Sequence, residues 1–454
     1  MPRLSIFHRT KDTGNLIVIT MMANIGMATI SLLTGMLAAR LLGPMGRGEL
    51  AAIQTIPTFL SAIAMLGVPD ALVYYSAKNL KQAGQWLSTS YCIALVSMVP
   101  FAIVGYWLMP WLLMAQSDEV ISAARHYLLW LLPIYVFFGM PSHVLRGRND
   151  LIVWNFMRAT PTLLWLIVLS TAYVTKTIAP NVITSQYLNG MVLLSIFTIY
   201  VARKRIPGSW LPQVHQVKKL LKYGLPAVLS TIPTILNSRF DQMLMAAFLS
   251  PAILGLYAVA VAWSSAVLPL SSAIPNVLMP KLASMNSDKE RSNALAKGTR
   301  MGTLVVGIII LFIATLSPVV IPTLFGPDYS ASIVPAVVLC FANGFWAMKQ
   351  LLRSGFYGLG HPRHVLVAEL IGLICTGILL WLLIEKYELL GAAVASLVSY
   401  FFACSYLIWQ MRRITGFSAK ELMLPTRKEL MELTSRIKTL TSGFVSKIQL
   451  LSNA

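Results

Sequence analysis

Twelve stretches of about twenty mostly apolar residues, joined by short polar links, constrain this chain more than any other feature. A helix needs about 20 such residues to cross the hydrocarbon core of a bilayer. The stretches run over roughly 15–39, 50–76, 86–108, 121–143, 152–174 and 184–202, then 223–248, 253–280, 301–325, 332–352, 364–384 and 389–411. Only 11% of the residues are charged, against roughly 25% in a soluble domain, so there is too little charge to cover a water-facing surface. The period-two alternation of a membrane β-barrel is missing. The expectation is an all-α integral membrane protein of about twelve transmembrane helices. The first stretch follows Arg3, Arg9 and Lys11 and outruns the apolar core of a secretory signal, so it reads as a span.

Lysine and arginine set the orientation. With the N-terminus inside, 28 of the 36 basic residues fall on inner segments. Five fall outside (Arg40, Arg47, Arg125, Lys176 and Lys386) and three lie within spans. This bias predicts an inner membrane protein with both termini in the cytoplasm. The net charge of +20 then belongs to links that meet anionic phospholipid headgroups rather than to a nucleic-acid surface.

The basic stretch 203–222 divides the spans into six and six, an N-terminal lobe over 1–205 and a C-terminal lobe over 206–411. The halves echo one another. Pro44 and Gly48 follow the first span, Pro251 and Gly255 follow the seventh, and both pairs lead into alanine-rich helix. Such an echo marks a parallel repeat about an axis along the membrane normal. From 412 to 454 the chain is basic, with Leu430, Leu433, Ile437, Leu440, Phe444, Ile448 and Leu451 at helical spacing. That tail is expected to lie as an amphipathic helix on the cytoplasmic leaflet, with a partner-binding helix or disorder as alternatives.

No link is long enough for a soluble catalytic domain, so function must lie between the helices. A charge inside a span is expensive and marks function by default. Asp241 lies ~27 Å from the inner end of its span, on a helical face with Ser230, Thr234 and Asn237. It is the first candidate for ion coupling; the alternative is a hydrogen bond to a neighbouring helix. Arg239, about 200° round the helix from Asp241, cannot pair with it and needs a partner elsewhere, or contacts substrate. Arg158, ~9 Å from the inner boundary, shares a face with Asn155 and Thr162. Its planar fork suits a diphosphate, unless it only snorkels to the interface. Lys349 and Glu369 contact substrate, pair with each other or mark the interface; Asp70 is similar. Arg40 and Arg47, scarce outer cations, flank the first outer turn.

Cys92, Cys340, Cys375 and Cys404 all fall in apolar runs without CxxC spacing, and the six histidines form no ligand cluster. No phosphate-binding GxxxxGK[ST] loop, HExxH or GxSxG is present. Neither a cofactor, a metal nor a catalytic residue is expected.

The run Ala39-Arg40-Leu41-Leu42-Gly43-Pro44-Met45-Gly46-Arg47-Gly48 resembles the first-turn signature of bacterial polysaccharide flippases. Arg239-Phe240-Asp241-Gln242 with Gly255-Leu256-Tyr257-Ala258-Val259-Ala260 resembles their seventh and eighth helices, and Gly358-Leu359-Gly360-His361-Pro362 and Gly391-Ala392-Ala393-Val394-Ala395-Ser396 their last two turns. The resemblance runs from about 15 to 410 in matching order. It implies the O-antigen and exopolysaccharide branch of the MATE-like exporter superfamily, with two six-helix lobes around a central cavity. Such proteins move undecaprenyl-diphosphate-linked oligosaccharide across the cytoplasmic membrane by alternating access, with coupling to protons or sodium suspected. The implied partners are the polyprenyl-diphosphate-linked glycan and, as further candidates, polysaccharide polymerase and chain-length proteins. Arg158, Arg40, Arg47, Arg239 and Lys349 become substrate contacts, and Asp241, Glu369 and Asp70 ion-coupling groups. A multidrug exporter, a lipid II flippase or, from another class, a membrane-embedded polysaccharide polymerase are the competing readings.

Overall fold

The computed structural model describes residues 13–268, 287–426, 429 and 431. Among the described residues the regular structure is all helical: α1 (Thr13–Ala64), α2 (Val68–Lys78), α3 (Ala83–Leu112), α4 (Asp118–Ile134), α5 (Met140–Gly147), α6 (Leu151–Thr175) and α7 (Pro180–Arg205) precede α8 (Val214–Asn237). Then come α9 (Phe240–Phe248), α10 (Pro251–Ser264), α11 (Asp288–Val320), α12 (Ile333–Gly358), α13 (Pro362–Thr415) and the short α14 (Ala419–Met423). Among the described residues, eight helices are long and apolar enough to cross a membrane. Their outer faces carry large apolar side chains: Val96, Trp107, Trp111 and Trp381 are each more than 70% exposed, which suits lipid and not water.

Local chemistry explains the element ends. Ser117 accepts the Val120 amide at 3.4 Å and caps α4, whose first turn carries Asp118 and Glu119. Proline occupies the first turn of α7, α10 and α13, where its missing N–H costs nothing. Gly416 ends α13 in the left-handed region at φ 76°. Within α1 the helix breaks at Gly43, at φ 64°; only glycine takes that conformation without strain. Within α13 it breaks at Glu388. A π-helical turn over Tyr135–Gly139 joins α4 to α5.

Three boundaries differ from the sequence expectation. The apolar run 50–76 is broken at Leu66 and Gly67, both at positive φ. The run 223–248 is not one helix: α8 starts nine residues earlier, at Val214, and ends at Asn237, with α9 starting again at Phe240. Hydropathy misses that early start because Lys218, Lys219 and Lys222 share the turn with apolar residues. The tail does not simply leave the end of α13. Its first part folds back: Leu422 is fully buried in one apolar cluster with Leu295 and Met411. The periodic tail residues from Leu430 to Leu451 lie outside the described residues.

Arg300 straps this tail down. Its Nη2 and Nε donate to the two Glu429 carboxylate oxygens at 2.8 and 3.0 Å, and its Nη1 to the Glu421 carbonyl at 2.6 Å. The Arg300 fork, with the Thr426 amide and hydroxyl, holds the Glu429 carboxyl down at about 2 from its ordinary 4.5. A depressed folded value means the contribution is whole above ~4.5 and is lost as pH falls towards ~2. Hydrogen exchange of the 418–426 amides is therefore expected to stay slow and pH-independent over neutral and mildly acid conditions, after correction for intrinsic rates. Glu429→Gln should speed it at neutral pH; equal protection in the variant would show that the strap does not depend on this pair.

Helices before and after residue 206 meet at two opposite ends. At the lysine- and arginine-rich end, Thr89 donates to Gln216 Oε1 at 3.1 Å, and the Gly84 amide to the Pro207 carbonyl at 3.0 Å. Tyr74 stacks on Tyr223 with centroids 4.9 Å apart. At the other end, Gln116 Nε2 donates to the Ala246 and Leu249 carbonyls at 2.9 and 3.1 Å. There Gly48 and Gly255 lie backbone to backbone. A Cβ on Gly48 would sit 1.7 Å from the Pro251 oxygen, and one on Gly255 1.8 Å from the Pro44 oxygen. The two Pro-x-x-x-Gly stretches that echo each other in sequence thus face each other in space.

Candidate functional site

Two polar clusters of opposite character stand out, one buried in the helix bundle and one half-buried, with Arg146 exposed at its edge. The first belongs to the helices after residue 206. Because α8 stops at Asn237, its last-turn carbonyls lose their helical partners; the Tyr400 hydroxyl donates to the Asn237 carbonyl at 3.1 Å. The restart at α9 aims Asp241 inward, 6% exposed. Three donors converge on its carboxylate: the Tyr257 hydroxyl, the Gln242 amide at 2.8 Å and the Ser396 hydroxyl at 3.3 Å.

One turn away is a buried ion pair. Lys349 Nζ lies 2.7 Å from Glu369 Oε2, with both side chains at most 2% exposed. The ammonium also sits 3.9 Å from the centre of the Trp346 ring. Asn237 Nδ2 donates to the same Glu369 oxygen at 3.1 Å. Gly372 gives the Asn237 amide its place, since a Cβ there would come within 2.6 Å of Nδ2. Glu369 Oε1 and Asn237 Oδ1 are buried without a hydrogen-bond partner. The network thus joins α8, α9, α10, α12 and both parts of α13 with two carboxylates, one ammonium and two unused acceptors.

The second cluster belongs to the helices before residue 206 and contains no carboxylate. Arg158 Nη2 donates to Asn24 Oδ1 at 3.0 Å and Nη1 to Asn155 Oδ1 at 3.3 Å. The Asn155 amide in turn reaches the Thr20 hydroxyl at 2.9 Å. The Arg158 guanidinium lies 4.4 Å from the Trp154 ring centre, and that of Arg146 5.4 Å from the same ring. Neither arginine has a carboxylate partner among the described residues. Two guanidiniums thus share one indole without a carboxylate, an arrangement that is planar, multidentate and positive.

The remaining sequence candidates are scattered. Arg40 is exposed and donates to the Leu324 carbonyl at 2.7 Å and to the Thr323 carbonyl, so it caps the π-helical turn after α11 across the two halves. Arg47 is half-buried, with Nε buried and unpartnered. Arg239 does not meet Asp241; it caps α9 and donates to Gln242 Oε1 at 3.3 Å. Asp70 is exposed in the first turn of α2, a place where a carboxylate favours the helix dipole. The stripe expected from Ser230 to Asp241 is not one helical face, because the break at Ser238 and Arg239 intervenes; the Ser230 side chain lies outside the described residues. Lys349 and Glu369 are not at an interface but paired in the interior. Sequence reasoning missed Asn24, Arg146, Trp154, Tyr257, Trp346, Ser396 and Tyr400. Of these, Ser396 and Tyr400 carried a signal, a polar face shared with Ser399 at helical spacing in an alanine-rich run. Among the described residues no three His, Cys, Asp or Glu side chains are placed to hold a metal ion, and the four cysteines are free, Cys92 exposed.

The model of the polysaccharide biosynthesis protein family matches residues 37–334. An uncharacterized membrane protein of Methanocaldococcus jannaschii is 21% identical over 84% of this chain and 93% of its own length. A probable low-salt glycan biosynthesis flippase of Haloferax volcanii is 20% identical over 42% of this chain and 41% of its own length. In fold, the chain is similar to the lipid II flippase MurJ in an inward closed conformation, with a TM-score of 0.70 and 15% identity over 88% of this chain and 90% of that one. It is also similar to an inward-facing MATE multidrug resistance transporter, with a TM-score of 0.60 and 18% identity over 88% and 96%. The chain belongs to the polysaccharide biosynthesis protein family, and its fold is similar to that of MurJ and the MATE transporters.

Proposed function

We propose that this protein is a flippase that carries an undecaprenyl-diphosphate-linked oligosaccharide across the bacterial cytoplasmic membrane. The breaks at Gly43 and Glu388, read as turns between spans, and those at Leu66 to Gly67 and Ser238 to Arg239, read as interruptions within spans, support a reading of twelve crossings, six before residue 206 and six up to 411. The two sets act as lobes, with both termini in the cytoplasm. Rocking of one lobe against the other opens the basic end and then the opposite end, while the lipid tail stays in the bilayer.

The observation that carries this reading is the carboxylate-free pair Arg146 and Arg158 on Trp154. A lipid diphosphate crosses hydrocarbon only where positive groups replace its hydration, and a guanidinium fork meets phosphate oxygens two at a time. A cationic drug would be repelled by the same pair, which weighs against multidrug export. In the other lobe, Asp241 adds a second buried carboxylate beyond the Lys349–Glu369 pair, and we assign it the uptake of a proton or cation that biases the switch.

The test is translocation of a fluorescent undecaprenyl-diphosphate oligosaccharide in proteoliposomes, with and without an imposed ion gradient. Wild type should move the lipid, Arg158→Ala should lose the movement by roughly 100-fold, and Asp241→Asn should lose its dependence on the gradient. Movement unaffected by Arg158→Ala would discard the anion site. No movement of any such lipid would sink the flippase reading, and gradient dependence surviving in Asp241→Asn would remove Asp241 from coupling.

A further inference from the structure

The first turns of α8 have two faces with different occupants. One face is the closure at the basic end: Gln216 and Leu220 are fully buried, and Gly224 lies against Gly67, where a Cβ would meet the Leu66 oxygen at 2.8 Å. The opposite face is open. Along it runs a groove of about 720 Å³, floored by Val217, Leu221, Leu225 and Pro226, with Lys218 and Lys222 on its rim. Leu225 and Leu229 stay 41% and 65% exposed along the same line, which continues the apolar floor towards the middle of the span.

Lys218 and Lys222 stand one helical turn apart, so their ammonium groups lie on the same side of the groove. Both are exposed, and neither has a carboxylate partner among the described residues. A polar rim with two free positive charges above a floor of leucine and proline is complementary to one kind of molecule: a phosphate headgroup joined to a hydrocarbon chain. The rim sits at the end of the bundle where Arg203, Lys204 and Arg205 also cluster, the level at which headgroups meet basic side chains.

We propose that this groove is a binding site for an anionic phospholipid, its phosphate held between Lys218 and Lys222 and one acyl chain lying over Leu221, Leu225 and Pro226. The site is separate from the Arg158 cluster and does not depend on what the protein transports. A lipid seated there lies on the outer side of the turn whose inner side joins the two halves, so its occupancy bears on the helix that closes the basic end.

Photo-crosslinking tests this on the full-length protein in proteoliposomes. The probe is phosphatidylglycerol with a photoactivatable acyl chain, compared with phosphatidylcholine carrying the same group, and labelled peptides are mapped by mass spectrometry. Phosphatidylglycerol should label residues 211–229 about tenfold more than phosphatidylcholine, since each lysine adds a favourable headgroup contact. High salt should reduce the difference. Lys218→Gln with Lys222→Gln should abolish the preference, and Lys218→Arg with Lys222→Arg should keep it, which separates lost charge from lost fold. Equal labelling by the two lipids, or a preference that survives neutralisation, overturns the proposal. So does displacement of the probe by undecaprenyl diphosphate at about one molecule per protein, which would assign the groove to the transported lipid.

Discussion

Lys349→Met is expected to lower the folding stability of this protein by about 3–5 kcal/mol, the cost of leaving a buried charge without its partner. Glu369 would then be a carboxylate, at most 2% exposed, facing only the Asn237 amide. The hole is not large, because methionine nearly matches the lysine stem in volume, so packing alone predicts a change below about 1.5 kcal/mol. The size of the loss therefore discriminates between the charge and the shape. Lys349→Met with Glu369→Gln should recover most of it: the second change removes the stranded charge and keeps an acceptor for Asn237. Reversible unfolding in mixed micelles measures all three. A single variant as stable as wild type would show that Glu369 is already neutral in the resting protein. That result would move the proposed proton site from Asp241 to Glu369, whose second oxygen is buried without a partner.

That pair also shows where sequence reading stops. Hydropathy located the helices because lipid leaves the backbone no alternative to internal hydrogen bonding; the match between apolar runs and helices follows from that single constraint. The side-chain network obeys no such rule. Lys349 and Glu369 lie twenty residues apart on different helices, and each read alone looks like an interfacial charge. Asp241 was legible as a costly buried carboxylate, but its donors Tyr257 and Ser396 sit 16 and 155 residues away, and nothing in either stretch ties it to Asp241. The break after Asn237 was hidden for a different reason: Ser238 and Arg239 interrupt an otherwise apolar run too briefly to lower its mean hydropathy. Arg158 was legible by its chemistry, whereas Arg146 looked like an ordinary inner-loop cation until α5 brought it to Trp154. Conversely the glycines carried more information than their composition suggests, since the spacing Pro44 to Gly48 and Pro251 to Gly255 encodes a contact between two distant parts of the chain.

Gly48→Ala and Gly255→Ala are each expected to shift the protein away from the conformation closed at that end. At both positions the new methyl group would meet a backbone carbonyl, 1.7 Å from the Pro251 oxygen or 1.8 Å from the Pro44 oxygen. Backbone cannot swing aside as a side chain tip does, so the two segments must separate. Overpacking of this kind costs about 1–3 kcal/mol, enough to change the ratio of closed to open molecules by roughly 5- to 150-fold. Spin labels at Met45 and Phe248, exposed side chains of 62% and 55% near the contact, report the separation by pulsed dipolar spectroscopy in a Cys92→Ala background. The distance should lengthen in either variant. Because one separation relieves both clashes, the double variant should add little to either single one, a coupling that independent sites would not show. Unchanged distances with unchanged stability would mean that the contact gives way without opening the end. Additive effects would mean that the two glycines act on separate motions rather than on one shared closure.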